Sequence, residues 1–216
     1  MRICGLKYYC REVINRLDLV VKIPNHRHQK YFTEILTTQE VVRLFGACRD
    51  IRQQLVVQLI YETGLSVREI TRLRVSDFDK QLRTITVYNG KGLKTRSIPY
   101  GEQLRLTLVQ YCKVRGGVPT NTLIESIKEP GNPLSQRGVQ HIVREAVRRS
   151  GIKKRIHPHT LRHTFAVHYL NFGGSLPDLQ RLLGHEHIST TLHYLKYVHL
   201  SEHPSVSVLD CLMQTK

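Results

Sequence analysis

Four separated stretches of this chain carry potentially reactive groups: NGKGLK (89 to 94), HTLRH (159 to 163), LGHEH (183 to 187) and STTLHY, which ends at Tyr194. His159, Arg162 and His163 lie three and four residues apart, a spacing that gathers them on one side of a helix. A phenol with a pKa near 10 is a weak nucleophile at neutral pH, so Tyr194 would need proton removal or a strongly electropositive pocket. Two imidazoles, the Arg162 guanidinium and the Lys91 ammonium supply both. A planar guanidinium meets the oxygens of an anion with a two-pronged donor. Each residue also has an ordinary reading: His159 could cap a helix beginning at Pro158, Arg162 could pair with an acid, and Tyr194 could be one of ten tyrosines packed in a core. His157, His159, His185, His187 and His193 form a His-rich set, but a zinc site usually recruits carboxylate or thiolate help, and Glu186 is the obvious candidate alone. No metal or other cofactor is expected.

The elements that must position these groups follow from periodicity and punctuation. TTQEVVRLFGACR opens with Thr37 three residues before Glu40, a capping-box spacing, and QQLVVQLIYET reads as a more buried helix ending at Gly64. A third helix is expected over roughly 67 to 74, stopping before SDFD. RTITVYNGKGLKTRSIPY alternates apolar and polar residues on either side of a Gly-containing turn, which predicts a β-hairpin with Lys91 at or beside the turn. EQLRLTLVQYCKVR is helical, and a Pro-, Gly- and Asn-rich loop follows it to Asn132. SQRGVQHIVREAVRRSG, PHTLRHTFAVHYLNFGG, LPDLQRLLG and ISTTLHYLKYV each read as a helix bounded by Ser, Pro or Gly. The expected fold is mostly α with one small antiparallel β-sheet.

The 216 residues suffice for one sizeable core, with residues 1–32 read as an arm or linker, 33–200 as the domain and 201–216 as a tail. The five cysteines are scattered and odd in number, which indicates neither a disulfide framework nor a thiolate metal site. No apolar run approaches a membrane span and the N-terminus lacks a signal-peptide pattern, so the expected location is the cytoplasm. A net charge of +16 attracts polyanions before any specific contact forms, and nucleic acid is the leading partner.

The order of these stretches (TGLxxxE, NGKG, HTLRHTF, LLGHEHIS, then TTLHY nine residues after His185) resembles the tyrosine recombinases, the phage-integrase-type site-specific recombinases, over residues 33 to about 200. The resemblance implies that Tyr194 attacks a DNA phosphodiester, leaving a 3′-phosphotyrosyl bond and a free 5′-hydroxyl. It implies that Arg162 binds the non-bridging oxygens, that His159 and His185 assist proton transfer and hold the phosphate, and that Lys91 is the general acid on the leaving oxygen. The bond energy is kept in the adduct, so no nucleotide is consumed.

One position departs from the pattern. The family reads TGLRxxE, whereas this chain has Ser66 after the Leu and the acid at Glu69. Ser66 and Glu69 are expected to form a capping box. Arg68 is a candidate substitute guanidinium, although two residues along a helix turn a side chain by about 200°. Removing one charge donor from a phosphoryl-transfer site costs about 10² to 10⁵ in rate, so slow turnover fits Ser66 as well as none; the reading is a site-specific recombinase, impaired or not, with a catalytically silent DNA-binding protein as the alternative. Arg96, Arg144, Arg148 and Arg149 are candidate DNA contacts, the last three within the basic segment 137–155. The family's tetrameric assembly on two duplexes implies self-association, for which the apolar residues of 201–216 are the candidate docking segment, folding back on their own core being the alternative.

Overall fold

The computed structural model describes residues 8–16, 18–19, 34–88, 95–129 and 131–198. The chain divides into two compact units, Met1–Phe32 and Thr33–Lys216. In the first, Tyr9–Val13 form one π-helical turn with Cys10 buried.

The second unit begins with α1 (Thr38–Gly46). Its expected capping box is present: the Thr37 hydroxyl accepts from the Glu40 N–H at 3.2 Å, and the Glu40 carboxylate accepts from the Thr37 N–H at 2.7 Å. Helix α2 (Ile51–Thr63) is capped by Asp50, and Leu55, Val56, Val57, Leu59 and Ile60 are all fully buried. A helix apolar on every side has to be surrounded, and α2 is enclosed by α4 (Glu102–Arg115), α5 (Gln136–Ser150) and α6 (Pro158–Asn171). Its one buried amide, Gln58, accepts a 2.7 Å hydrogen bond from the Thr107 hydroxyl of α4. Gly64 ends α2 at φ +64°, and a Cβ there would approach within 2.7 Å of the Phe165 ring, so both backbone and packing require glycine.

Helix α3 (Val67–Ile70) is shorter than the expected 67–74. The chain turns at Thr71, forms a 3₁₀ turn at Val75–Asp77, and enters a two-residue strand β1 (Phe78–Asp79) where no strand was expected. Two residues are too few to alternate, so sequence periodicity carries no signal for β1. It pairs antiparallel with β2 (Thr84–Val87), which pairs antiparallel with β3 (Arg96–Pro99) in the expected hairpin. Phe78 stands opposite Ile85, and Ile85 opposite Ile98. Ile85, Val87 and Ile98 are buried on the face toward the helices. The turn that holds Lys91 lies outside the described residues, as does the 201–216 segment.

Helices α7 (Leu176–Leu183) and α8 (Ile188–Leu192) complete the unit. The single helix expected over 188–198 is broken at His193, with Leu195–Tyr197 forming a separate 3₁₀ turn. The main core joins α1 to α6 and the sheet, while a second cluster gathers Ala166, Val167 and Leu170 of α6 with Leu179, Leu183 and Tyr194.

Candidate active site

Helix α6 presents the histidine and arginine cluster, and its N-terminus explains how. His157, rather than His159, is the cap: its Nδ1 accepts from the Thr160 N–H at 3.2 Å, with Pro158 in the first turn. His159 is thereby free to project on the same side as Arg162 and His163, its ring 6.5 Å from that of His163. Burial lowers the His159 pKa, and the charges of Arg162 and His157 lower it further.

Arg162 is 13 % exposed and fixed from two directions. Nη1 donates to the Gly64 carbonyl and Nη2 to the Leu183 carbonyl, each at 2.7 Å. Both acceptors stand at helix C-termini, where carbonyls lack intrahelical partners and carry partial negative charge. Burial depresses the Arg162 pKa while Glu69, with Oε2 3.7 Å from Nη1, opposes that.

Tyr194 sits where α8 gives way to the following 3₁₀ turn and is 6 % exposed, a core residue as the ordinary reading had it. Its hydroxyl nevertheless has a specific partner, His163 Nδ1 at 2.9 Å. Its ring lies parallel to His185, centroids 6.3 Å apart. Burial raises the phenol pKa and the Arg162 charge counteracts it. Burial is also the main reason that the pKa values of His163 and His185 fall to about 4. Neighbouring basic groups add to both: for His163 His159 first and then Arg162, for His185 Arg162 and then Arg96. Both imidazoles are therefore neutral at pH 7, and with the proton on Nε2, His163 can accept the phenol's hydrogen bond through Nδ1. His185 Nδ1 lies 2.9 Å from the Thr191 hydroxyl, tying that ring to α8.

A further arginine enters from the sheet. Arg96 Nη1 contacts Glu69 Oε1 at 2.6 Å, and its Nε donates to the Leu182 carbonyl at 2.8 Å. Glu69 also closes the expected capping box: its Oε2 accepts from the Ser66 N–H at 2.7 Å, and its own N–H donates to the Ser66 hydroxyl at 3.3 Å. Burial pushes the Glu69 carboxyl up, but the Arg96 hydrogen bond and charge more than offset it, holding it below the usual carboxylate range. Ser66, Glu69, Arg96 and His185 line one open groove. Arg68 lines it as well, but its side chain is exposed and Glu69 is bound by Arg96 and Arg162 instead. Among the described residues no group of three or more His, Cys, Asp or Glu is arranged to hold a metal ion.

Two of these contacts were not read from the sequence. Spacing puts His163 on the right side of its helix, but a contact between residues 31 positions apart has no local signature. Arg96 did carry a signal: in β3 it shares a face with Ile98, an inward position that seldom holds a charge.

The likeness drawn from the motifs is matched by comparison with known proteins. The phage integrase family profile covers residues 34–202, and this chain belongs to that family. Tyrosine recombinase XerC of Staphylococcus epidermidis is 34 % identical over 199 residues, covering 85 % of this chain and 66 % of XerC. The chain thus spans just under two thirds of the length of that relative. The crystal structure of XerA recombinase superposes with a TM-score of 0.71 at 27 % identity, covering 99 % of this chain and 74 % of XerA. The catalytic domain of bacteriophage HP1 integrase gives a TM-score of 0.61 at 24 % identity, with 86 % of this chain and 96 % of that domain covered. The mostly helical fold with a small antiparallel sheet is that of tyrosine recombinase catalytic domains.

Proposed function

We propose that this chain is a site-specific DNA recombinase that cuts and rejoins duplex DNA through Tyr194. The observation that carries the reading is the setting of the Tyr194 hydroxyl, hydrogen-bonded to a neutral His163, with its ring parallel to His185 and within the field of Arg162. In the step so proposed, the Tyr194 oxygen attacks phosphorus and its proton passes to His163 Nδ1. The bond from phosphorus to the 5′-oxygen breaks, and Lys91 protonates the departing oxygen. Arg162, His159 and His185 hold the non-bridging oxygens. One phosphodiester replaces another, and reversal with a new 5′-hydroxyl rejoins the strands.

The net charge of +16 supports duplex DNA as the partner, with affinity arising mostly from phosphate contacts that weaken with salt. Arg144 and Arg148 on the exposed side of α5 are the contacts we assign to the backbone. Arg149 is less available, because its guanidinium binds the Ala47 carbonyl at 2.9 Å and the Gln53 side chain. Residues 33–200 are the catalytic domain in this reading, 1–32 an arm, and 201–216 the segment that docks on a neighbour in a tetramer on DNA. The place of work is the cytoplasm, where a mobile element's DNA is accessible; no described helix is long and apolar enough to cross a membrane.

The test is covalent trapping on nicked duplexes drawn from DNA flanking the gene and from a library of inverted half-sites. The expected result is a denaturant-resistant protein–DNA adduct with wild type that disappears in Tyr194→Phe. Ser66 in place of the family arginine favours a second reading, a silent DNA-binding protein of the same fold. Salt-dependent duplex binding with no adduct would select it.

A further inference from the structure

The further inference rests on the proposed strand cleavage and concerns the arginine that position 66 lacks. Position 66 is committed to backbone work: the Ser66 hydroxyl accepts from Glu69 and its N–H donates back to the same residue. Glu69 is therefore the point from which a replacement charge has to be sought. Its carboxylate is shared by two guanidiniums, Arg96 at 2.6 Å on Oε1 and Arg162 at 3.7 Å on Oε2. One negative charge against two positive ones leaves an excess of one positive charge in a recess where all three side chains are at most 15 % exposed.

Arg96 is not fully used by the protein. Nη1 goes to Glu69 and Nε to the Leu182 carbonyl, while Nη2 is buried with no hydrogen-bond partner. A buried donor that the protein leaves unmatched is costly, and a phosphate oxygen is a group that would match it. The backbone beside it is shaped to admit it. Gly184 has φ +68°, and a Cβ there would come within 2.9 Å of Arg96 Nη1, so the residue before His185 leaves room for the guanidinium. Arg96, Ser66 and His185 border the same groove.

We infer that Arg96, reaching across from β3, supplies to the target phosphate the guanidinium charge that Ser66 cannot, Nη2 being the donor that the protein leaves unmatched. Glu69 positions it, as it positions Arg162. The competing role is that of a brace, in which Arg96 merely ties β3 to α3 and the end of α7.

Adduct formation on nicked duplexes under single-turnover conditions separates the two, with melting temperature and duplex affinity measured alongside. Arg96→Gln is expected to slow adduct formation by about 10² to 10³. Adding Ser66→Arg to Arg96→Gln is expected to recover at least about tenfold of that, because a guanidinium returns to the groove from the other side. Ser66→Arg alone calibrates that gain: a larger gain in the Arg96→Gln background than in wild type marks a shared phosphate role, and an equal gain marks a brace. An Arg96→Gln rate within about threefold of wild type would overturn the inference, as would a folded double variant with no recovery. If Arg96→Gln does not fold, Arg96→Lys keeps the charge but lacks Nη2; a loss of about tenfold supports the inference and a wild-type rate overturns it. If wild type forms no adduct on any duplex, strand cleavage is what fails. Arg96 is then judged on orthovanadate binding: weakening in the Arg96 variants upholds it as a phosphate ligand, and unchanged binding rejects it.

Discussion

The arginines of α5 and those beneath the groove are the same residue type in opposite surroundings. Arg148 pairs with Glu145 at 3.0 Å with its side chain 70 % exposed, while Arg96 meets Glu69 at 2.6 Å at 9 % exposed. In water the first pair is worth little and exchanges readily for other anions, so Arg148 can serve a long-range field without a fixed geometry. The second pair is desolvated and anchored by helix-end carbonyls, so its direction is set before any substrate arrives. In the proposed function, attraction to DNA and handling of one phosphate fall to different arginines.

The largest effect expected to sharpen this comparison falls on proton transfer. His163→Ala removes the hydrogen-bond partner of the Tyr194 hydroxyl and should slow adduct formation by about 10² to 10⁴ with duplex affinity nearly unchanged. A rate near wild type would remove His163 from the chemistry. Next, Glu69→Ala leaves Arg96 and Arg162 facing each other without their shared carboxylate and should cost about 3–5 kcal/mol in urea unfolding. A cost below about 1 kcal/mol would mean the buried set is no more coupled than the surface one.

A smaller effect concerns pH. The pKa values of His163 and His185 are held at about 4 in the fold, below the ordinary value of 6.5. The unfolded chain therefore binds more protons between those values, so these two residues favour the fold fully above pH 6.5 and lose that contribution as pH falls toward 4. Melting temperature should decline over that window, and less so in His163→Phe; identical profiles would contradict a buried neutral imidazole. The smallest effect on stability belongs to the surface set. Arg148→Glu should shift stability by less than about 0.5 kcal/mol yet weaken duplex binding and flatten its dependence on salt. An unchanged salt slope would make that side of α5 a solvated face only.

The sequence by itself determined most of the framework, because the relevant signals are local. Thr37 with Glu40, Gly64 after an apolar run, and Ser66 with Glu69 each specify a helix end through residues at most a few positions apart, and each end stands where it was expected. The alternation around 84–99 likewise specified the hairpin. The motif order sufficed to place the chain in its family. Local pattern failed where elements are very short, at β1 and α3, since two to four residues do not complete a period.

What only the tertiary structure decided is which of the chain's many basic residues shares a carboxylate with which. Arg96 and Glu69 are 27 positions apart on a strand and a helix, and Tyr194 and His163 are 31 apart; β3 packs on α7, α7 on α6, and the 3₁₀ turn after Tyr194 on α6. Periodicity reports the face a residue occupies, but the partner across that face depends on how elements cross, and crossing is set by the side chains of the whole core. Ser66 marked a missing charge in the sequence, and only the fold brought the Arg96 guanidinium to the carboxylate that caps it.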